Sequence, residues 1–170
     1  MKVAVLGAGA WGTALAQLLA EKGDAITLWS RRRELCDALN DAGENARYLP
    51  GIKLSKNISC TTDMTAALRG AEMIVFVVPS HATREVAREA APLVADGALV
   101  VSATKGIEND SLMFMDEVLA AELETRARTR LAFLSGPSFA RELAVHLPTA
   151  VVIAAHDPDV ASRVMRAFHT

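Results

Sequence analysis

A glycine-rich turn near the start of the chain has the clearest chemical meaning in this sequence. Gly7, Gly9 and Gly12 have the spacing GxGxxG, between a segment that predicts a strand and one that predicts a helix. In this context the first glycine allows a tight turn, the second lets a diphosphate approach the main chain, and the third lets the helix pack against the strand. The free N–H groups and the helix dipole then face the anion. The motif predicts a dinucleotide-binding turn, and a glycine turn without a ligand is the alternative.

Three arginines follow the second predicted strand, at the position that separates NAD sites from NADP sites. NAD-selective sites usually carry an acidic residue there, which binds the ribose 2′-hydroxyl. This sequence instead reads Ser30-Arg31-Arg32-Arg33, with no Asp or Glu at that point. Because the guanidinium group is a planar fork of donors that suits a phosphate, Arg31 and Arg32 predict a 2′-phosphate pocket. We therefore expect NADP(H) to be preferred and NAD(H) to be possible, with Arg33 exposed to solvent.

Further polar residues follow later predicted strands, where ligands bind in a doubly wound sheet. Pro79 keeps its loop near the cofactor, whereas His81 is expected to cap a helix or lie at the surface rather than act as an acid or base. Lys105 could reach the nicotinamide and an anionic or carbonyl substrate, with a surface lysine as an equal alternative. The segment 135–142 predicts a helix start whose free N–H groups could bind a substrate oxygen or be capped by serines.

The elements that must position these residues alternate between short apolar runs and helix-length amphipathic segments. The run at 74–78 is apolar at successive positions, which is typical of strands buried on both faces of a parallel sheet. The alternation predicts an α/β fold, a Rossmann-like, doubly wound and mostly parallel sheet with helices on both faces. Strands are predicted at residues 2–6, 25–29, 73–77, 98–102, 131–134 and 150–154, with a short one around 58–60 in an otherwise irregular segment. Helices are predicted at 11–22, 33–42, 65–68, 82–95, 111–124, 138–145 and 158–168.

The composition excludes several classes of protein. The 170 residues are 51% hydrophobic, which argues against disorder, and their net charge of −2 gives no general attraction to nucleic acid or anionic lipid. We therefore expect neither a nucleic acid nor a membrane as a partner. Because no apolar stretch reaches the roughly 20 residues of a membrane span, a cytoplasmic location is expected. Cys36 and Cys60 lie outside any CxxC pair, so we expect reduced thiols and no metal site.

Four segments, in order along nearly the whole chain, together resemble one family. They are GAGAWGTALA at 7–16, NARYLPG at 45–51, ATKGIE at 103–108 and LSGPSFAREL at 134–143. The glycine turn alone is a weak signal, but the four segments at these separations are highly specific. The sequence thus resembles the bacterial NAD(P)-dependent glycerol-3-phosphate dehydrogenases.

The resemblance implies roles for particular residues and places the loop 45–51 near the mouth of the active site. Lys105 is expected to contact both cofactor and substrate. With the residues derived above, the expected cofactor-binding set is Gly7, Gly9, Ala10, Trp11, Gly12, Arg31, Arg32, Pro79, Lys105 and Ala140. The expected substrate-binding set is Lys105, Gly136 and Ser138.

The resemblance also implies a reaction and a larger protein. The reaction is hydride transfer from NAD(P)H to the carbonyl carbon of dihydroxyacetone phosphate, which gives sn-glycerol 3-phosphate for phospholipid synthesis. Family members continue into an all-helical C-terminal substrate domain that carries the proton-transfer lysine, and that domain is absent by Thr170. We therefore expect residues 1–170 to be an NAD(P)-binding Rossmann domain without a catalytic residue of its own. It should bind cofactor with little turnover, and the full-length protein is a possible homodimer.

Two other functions stay open at this point. Another reductase built on a similar N-terminal half, such as a hydroxyacid or ketopantoate-type dehydrogenase, fits the glycines and arginines but fits the segments around Lys105 and Gly136 poorly. A dinucleotide-binding module without catalysis is the second alternative.

Overall fold

A computed structural model describes residues 1–123 and 125–170, and within them seven strands form one sheet. The spatial order is β3-β2-β1-β4-β5-β6-β7, in which the first six are parallel and β7 runs antiparallel to β6. The strands are β1 (Lys2–Leu6), β2 (Ala25–Trp29), β3 (Ile58–Thr61), β4 (Met73–Phe76), β5 (Leu99–Ser102), β6 (Leu131–Ser135) and β7 (Val152–Ala155). The predicted doubly wound, mostly parallel fold is confirmed.

Helices connect the strands, as parallel neighbours require. They are α1 (Ala10–Glu21), α2 (Arg33–Ala42), α3 (Met64–Leu68), α4 (Ser80–Ala90), α5 (Met115–Glu122), α6 (Thr125–Arg128), α7 (Ala140–Ala144) and α8 (Pro158–Phe168). Within the described ranges, no helix is both long enough and apolar enough to span a bilayer.

The core lies on both faces of the sheet because successive side chains of a strand point to opposite sides. In β1, Val3 and Val5 join the cluster under α1, α2 and α8, whereas Ala4 and Leu6 join the cluster under α3, α4 and α5. Strand order reverses between β1 and β4, which opens a crevice at the carboxyl ends of these strands. The elements that carry the predicted site residues therefore converge on one edge of the sheet.

Two predicted helices differ from the observed ones for local reasons. The helix predicted at 82–95 ends at Ala90 and continues as a short 3-10 turn, Ala91–Leu93, because Pro92 has no N–H to donate. The helix predicted at 111–124 begins only at Met115, since Leu112 has a left-handed backbone with φ of 58°. Its predicted last residue, Glu124, lies outside the described residues, and α6 was not predicted.

The expectation that both cysteines are reduced is wrong in this structure. Cys36 of α2 and Cys60 of β3 form a disulfide, with their Cα atoms 4.8 Å apart. The two residues are separated by 24 positions, and the packing of α2 against β3 brings them together. Motif spacing could not show this pairing because it depends on tertiary contact alone.

Candidate functional site

The glycine turn has the geometry that its spacing predicts. Gly7 has a φ of +127°, and a Cβ there would lie 2.8 Å from the carbonyl oxygen of Val77, the residue that follows the neighbouring strand β4. A Cβ on Gly12 would lie 1.9 Å from the carbonyl oxygen of Gly7, so α1 can approach β1 only with glycine at that position. Gly9 differs, since nothing lies within 4 Å of its Cβ position. The open side at Gly9 leaves the main chain accessible to a ligand.

The start of α1 is free to bind an anion. Its N-cap residue, Gly9, has no side chain to accept from the first-turn N–H groups, and the first turn contains no acidic residue. The partial positive charge at the end of the helix is therefore not neutralised locally. A 12-residue helix with an uncapped N-terminus next to an open glycine is a suitable cradle for a diphosphate.

One cleft of about 610 Å³ runs along the carboxyl ends of the strands. It brings together all ten residues expected to bind cofactor: Gly7, Gly9, Ala10, Trp11, Gly12, Arg31, Arg32, Pro79, Lys105 and Ala140. Ser138, expected to bind substrate, also lines it. His81 lies exposed on α4 and is not part of the cleft wall, as the sequence suggested.

The three arginines after β2 point in different directions. Arg31 and Arg32 line the cleft, whereas Arg33 donates from Nη2 to Thr62 Oγ1 at 3.2 Å, away from it. Arg32 donates from Nη1 to the Tyr48 hydroxyl at 2.6 Å. Arg31 makes only a loose, exposed ion pair with Glu85 at 3.4 Å. Both cleft arginines are therefore available to a phosphate at the end of β2.

Tyr48 is a cleft residue that the residue-by-residue prediction missed. The guanidinium carbon of Arg47 lies 5.5 Å from the centre of its ring, and its hydroxyl accepts from Arg32. The loop 45–51 has no helical or strand period, so only its match to a family motif indicated that it lies near the site.

Lys105 is held at the opposite end of the cleft from the arginines. Its Nζ lies 3.2 Å from the carbonyl oxygen of Ser138, 3.4 Å from the Ser138 hydroxyl and 5.5 Å from the centre of the Trp11 ring. Ser138 is itself buried, so it gives the flexible lysine a fixed partner. The ammonium group is thus directed into the cleft rather than into open solvent.

A charged network anchors the loop that carries Lys105. Arg84 of α4 donates to both carboxylate oxygens of Glu108 at 2.8 Å and to Glu122 of α5 at 2.7 Å. Arg88 donates to the same Glu122 at 3.0 Å. Hydrogen bonds from Arg84, and then from the Ser111 hydroxyl, lower the pKa of Glu108 from its ordinary 4.5 to about 2. The carboxylate therefore stays charged at any pH near neutrality.

Gly136 is placed apart from the cleft wall. It lines a neighbouring cavity of about 640 Å³, and this cavity shares Thr104 and Lys105 with the cleft. Gly136 has a φ of +147°, and a Cβ there would approach the Ala150 carbonyl oxygen to 2.7 Å. Lys105 thus lies between the two spaces, with Ser138 on the cleft side and Gly136 on the other. In the part of the chain that the structure describes, no cluster of His, Cys, Asp and Glu is suited to hold a metal ion.

Comparison with known proteins gives a consistent result. The family profile described as "NAD-dependent glycerol-3-phosphate dehydrogenase N-terminus" matches residues 2–161. A curated protein from Geobacter sp. (strain M21), named glycerol-3-phosphate dehydrogenase [NAD(P)+], is 47% identical over 169 residues, which cover 99% of this chain and 50% of that protein. A glycerol-3-phosphate dehydrogenase structure from Coxiella burnetii has a TM-score of 0.91 at 36% identity and covers 99% of this chain and 51% of that one. The chain spans about half the length of the curated relatives it matches.

One comparison bears on the rival reductase. A ketopantoate reductase structure from Ralstonia eutropha covers 79% of this chain and 41% of that one, with a TM-score of 0.62 at 28% identity. The Coxiella protein matches more of the chain, and matches it more closely.

Proposed function

Because the chain belongs to the family of NAD-dependent glycerol-3-phosphate dehydrogenase N-termini, we propose that it is the cofactor-binding half of such an enzyme. The whole enzyme would reduce dihydroxyacetone phosphate to sn-glycerol 3-phosphate with NAD(P)H. The observation that carries this proposal is the convergence of the predicted residues on one cleft, from the arginines after β2 to Lys105 after β5. Residues 1–170 would act as one NAD(P)-binding domain.

The main chain of the glycine turn would bind the diphosphate. Gly9 leaves the approach open, and the uncapped start of α1 offers N–H groups without a competing carboxylate. These two features fit a dinucleotide diphosphate and fit a neutral ligand less well. Ala10, Trp11, Pro79 and Ala140 would form the walls on either side.

Arg31 and Arg32 would select the phosphorylated adenosine, so NADP(H) is the proposed preferred cofactor. Both line the cleft at the end of β2, where an NAD-selective site would present a carboxylate. The hydrogen bond from Arg32 to Tyr48 holds one guanidinium group near that end before a ligand arrives. NAD(H), which has no 2′-phosphate, would bind without these contacts and therefore more weakly.

Lys105 would act at the substrate end of the cleft. The bound nicotinamide cofactor supplies the hydride. The lysine ammonium, held by Ser138, would lie beside the substrate carbonyl oxygen and stabilise the negative charge that develops there. Gly136 and Ser138 would complete the substrate contacts from the loop after β6.

The remaining chemistry would come from outside these residues. The family resemblance assigns proton transfer to a lysine of an all-helical C-terminal domain, and the relatives are about twice as long as this chain. The whole protein would act in the cytoplasm, where the product can enter phospholipid synthesis. It is a possible homodimer, which light scattering of the full-length protein would test.

Isothermal titration of the 170-residue chain tests the cofactor part of this proposal. NADPH should bind more tightly than NADH, because only NADPH can use both arginines. Equal affinities would contradict the assignment of Arg31 and Arg32. A dihydroxyacetone phosphate assay of the same chain should show little or no turnover, and robust reduction would contradict the placement of the proton donor elsewhere.

A further inference from the structure

A buried amide links the glycine turn to the loop 45–51. Asn45 is only 1% exposed, and its Nδ2 donates both to the Ala8 carbonyl oxygen at 3.0 Å and to Thr13 Oγ1 at 2.7 Å. Its Oδ1 accepts from the Tyr48 N–H at 3.3 Å. Every polar atom of the side chain thus has a partner, and two of the three contacts reach the turn and the first residues of α1. Asn45 itself is not part of the cleft wall.

The contact with Ala8 fixes the orientation of one peptide unit. A peptide bond is planar and trans, so its C=O and N–H groups point in opposite directions. Asn45 holds the Ala8 carbonyl on the side away from the cleft, and the N–H of the same unit belongs to Gly9. On the Gly9 side, no atom beyond the neighbouring residues lies within 4 Å of the Cβ position, so this side of the peptide unit is open. On the Ala8 side, where the residue is buried in the core, the amide of Asn45 adds a hydrogen bond that fixes the direction of the carbonyl group.

We propose that Asn45 is a positioning residue for the cofactor: it aims the Gly9 N–H at the diphosphate without touching the ligand. The inference rests on the proposed cofactor function of this cleft. Apolar packing also holds the loop 45–51 in place, because buried Leu49 packs with Ala14 and Ala144. Because that apolar packing does not involve Asn45, the loop should stay in place when the amide is removed.

The test compares two variants of Asn45 with one control. Asn45→Leu keeps the branched shape of the side chain, although it is larger, and removes all three hydrogen bonds. Asn45→Ser removes Nδ2 without adding volume and with a smaller change in polarity. Asn40→Leu is the control for the loss of side-chain hydrogen bonds to the main chain, because the exposed Asn40 makes two of them, both to Cys60 of β3 rather than to the glycine turn. Thermal melts without ligand establish that each variant is folded.

The affinities for three ligands distinguish a positioning role of Asn45 from general damage to the fold. NADPH and ADP contain a diphosphate, whereas adenosine 2′-monophosphate presents the adenosine end alone. Both Asn45 variants should bind NADPH and ADP about tenfold more weakly or worse, because a misdirected N–H forfeits a hydrogen bond to a charged group. Their affinity for adenosine 2′-monophosphate should change less than about twofold, and Asn40→Leu should bind all three ligands normally.

The remaining outcomes would each overturn the proposed role of Asn45. Equal losses for all three ligands, or loss of the folded state in both Asn45 variants, would show that the amide merely supports the fold and would overturn the proposal. Unchanged NADPH and ADP binding by the folded variants would overturn it too, while leaving the cofactor function intact. If the unsubstituted chain binds neither NADPH nor ADP, the cofactor function itself fails and the role of Asn45 fails with it.

Discussion

The glycine turn, residues 7–12, and the lysine loop, residues 103–108, face the same cleft but are held by different interactions. The turn is fixed by close main-chain packing and by the neutral amide of Asn45. The packing is so close that a Cβ on Gly12 would lie 1.9 Å from the carbonyl oxygen of Gly7. The lysine loop is held by the Thr104 hydroxyl, which donates to the carbonyl oxygens of Phe76 and Val78, and by ion pairs from Arg84 to Glu108 of the loop and Glu122 of α5. The glycine turn depends mainly on shape, whereas the lysine loop depends also on charge.

The two regions therefore tolerate different kinds of change. Close packing is insensitive to pH and salt but fails when a single methyl group is added. An ion-pair network accepts small changes of shape but weakens when a partner is neutralised by acid or by substitution. The diphosphate end of the site should therefore respond to steric substitutions, and the substrate end should respond to charge.

Gly12→Ala should destabilise the chain more than any other substitution considered below. The added Cβ would collide with a main-chain oxygen that belongs to the same tight turn, so neither partner can move away easily. We expect a loss of more than about 3 kcal/mol of unfolding free energy, measured by urea denaturation with circular dichroism. Gly9→Ala is the control, since its new methyl group would meet nothing within 4 Å and should change stability by less than about 0.5 kcal/mol. Equal midpoints for the two variants would contradict the steric account.

Gly9→Asp should abolish cofactor binding without unfolding the chain. The site at Gly9 has room for a side chain in this structure, but a carboxylate there would repel the diphosphate and block its approach. We expect the affinity for NADPH to fall more than about 100-fold, equivalent to about 2.8 kcal/mol, as measured by isothermal titration. Retained affinity in the folded variant would mean that the diphosphate lies elsewhere.

Replacing both cleft arginines should reduce the preference for NADPH over NADH rather than weaken both cofactors equally. The double variant Arg31→Asp/Arg32→Asp should weaken NADPH by about tenfold or more, because charged hydrogen bonds to a phosphate are lost, and NADH by much less. Arg33→Asp is the matched control, since Arg33 faces Thr62 rather than the cleft. A parallel loss of NADPH and NADH affinity would place the arginines outside the 2′-phosphate pocket.

Weakening the ion pair of Glu108 should have the mildest effect of these substitutions. The pKa of Glu108 is lowered from 4.5 to about 2 in the folded chain, so its ion pair stabilises the fold above the unfolded-state pKa and is lost as pH falls from 4.5 towards 2. Glu108→Gln should therefore lower the unfolding free energy at pH 7, with a difference from the unsubstituted chain that shrinks towards pH 2. Urea denaturation across that range measures it.

The exposed Glu89 on α4 provides the control for that experiment. Glu89→Gln should leave both the stability at pH 7 and its acid dependence nearly unchanged. The binding of ADP should stay the same in both glutamate variants, because neither touches the glycine turn. A loss of ADP affinity in Glu108→Gln would show that the two regions are coupled rather than separately held.

Sequence patterns predicted the elements best where local chemistry marks their ends. The helix α8 matches its prediction because Asp157 caps it and Pro158 begins it, and α2 ends at Gly43 in a left-handed conformation. Predictions failed where no sequence signal marks the end of an element. The start of α5 depends on the left-handed Leu112, a conformation that apolar periodicity does not reveal.

Local sequence signals predicted only part of the candidate site. The glycine spacing and the arginines are local signals, and the structure brings them into one cleft. Asn45 and Tyr48 come from an irregular loop, and their contacts with Ala8 and Arg32 span 37 and 16 positions. Such contacts between polar groups leave no periodic trace, so only the structure shows which atoms they join.

A crystal structure of the 170-residue chain with NADPH would locate the cofactor directly. We expect the diphosphate on the main-chain N–H groups at the start of α1, with the 2′-phosphate between Arg31 and Arg32 and the nicotinamide towards Lys105. A nucleotide bound away from the glycine turn, or bound there with both guanidinium groups turned to solvent, would contradict this expectation.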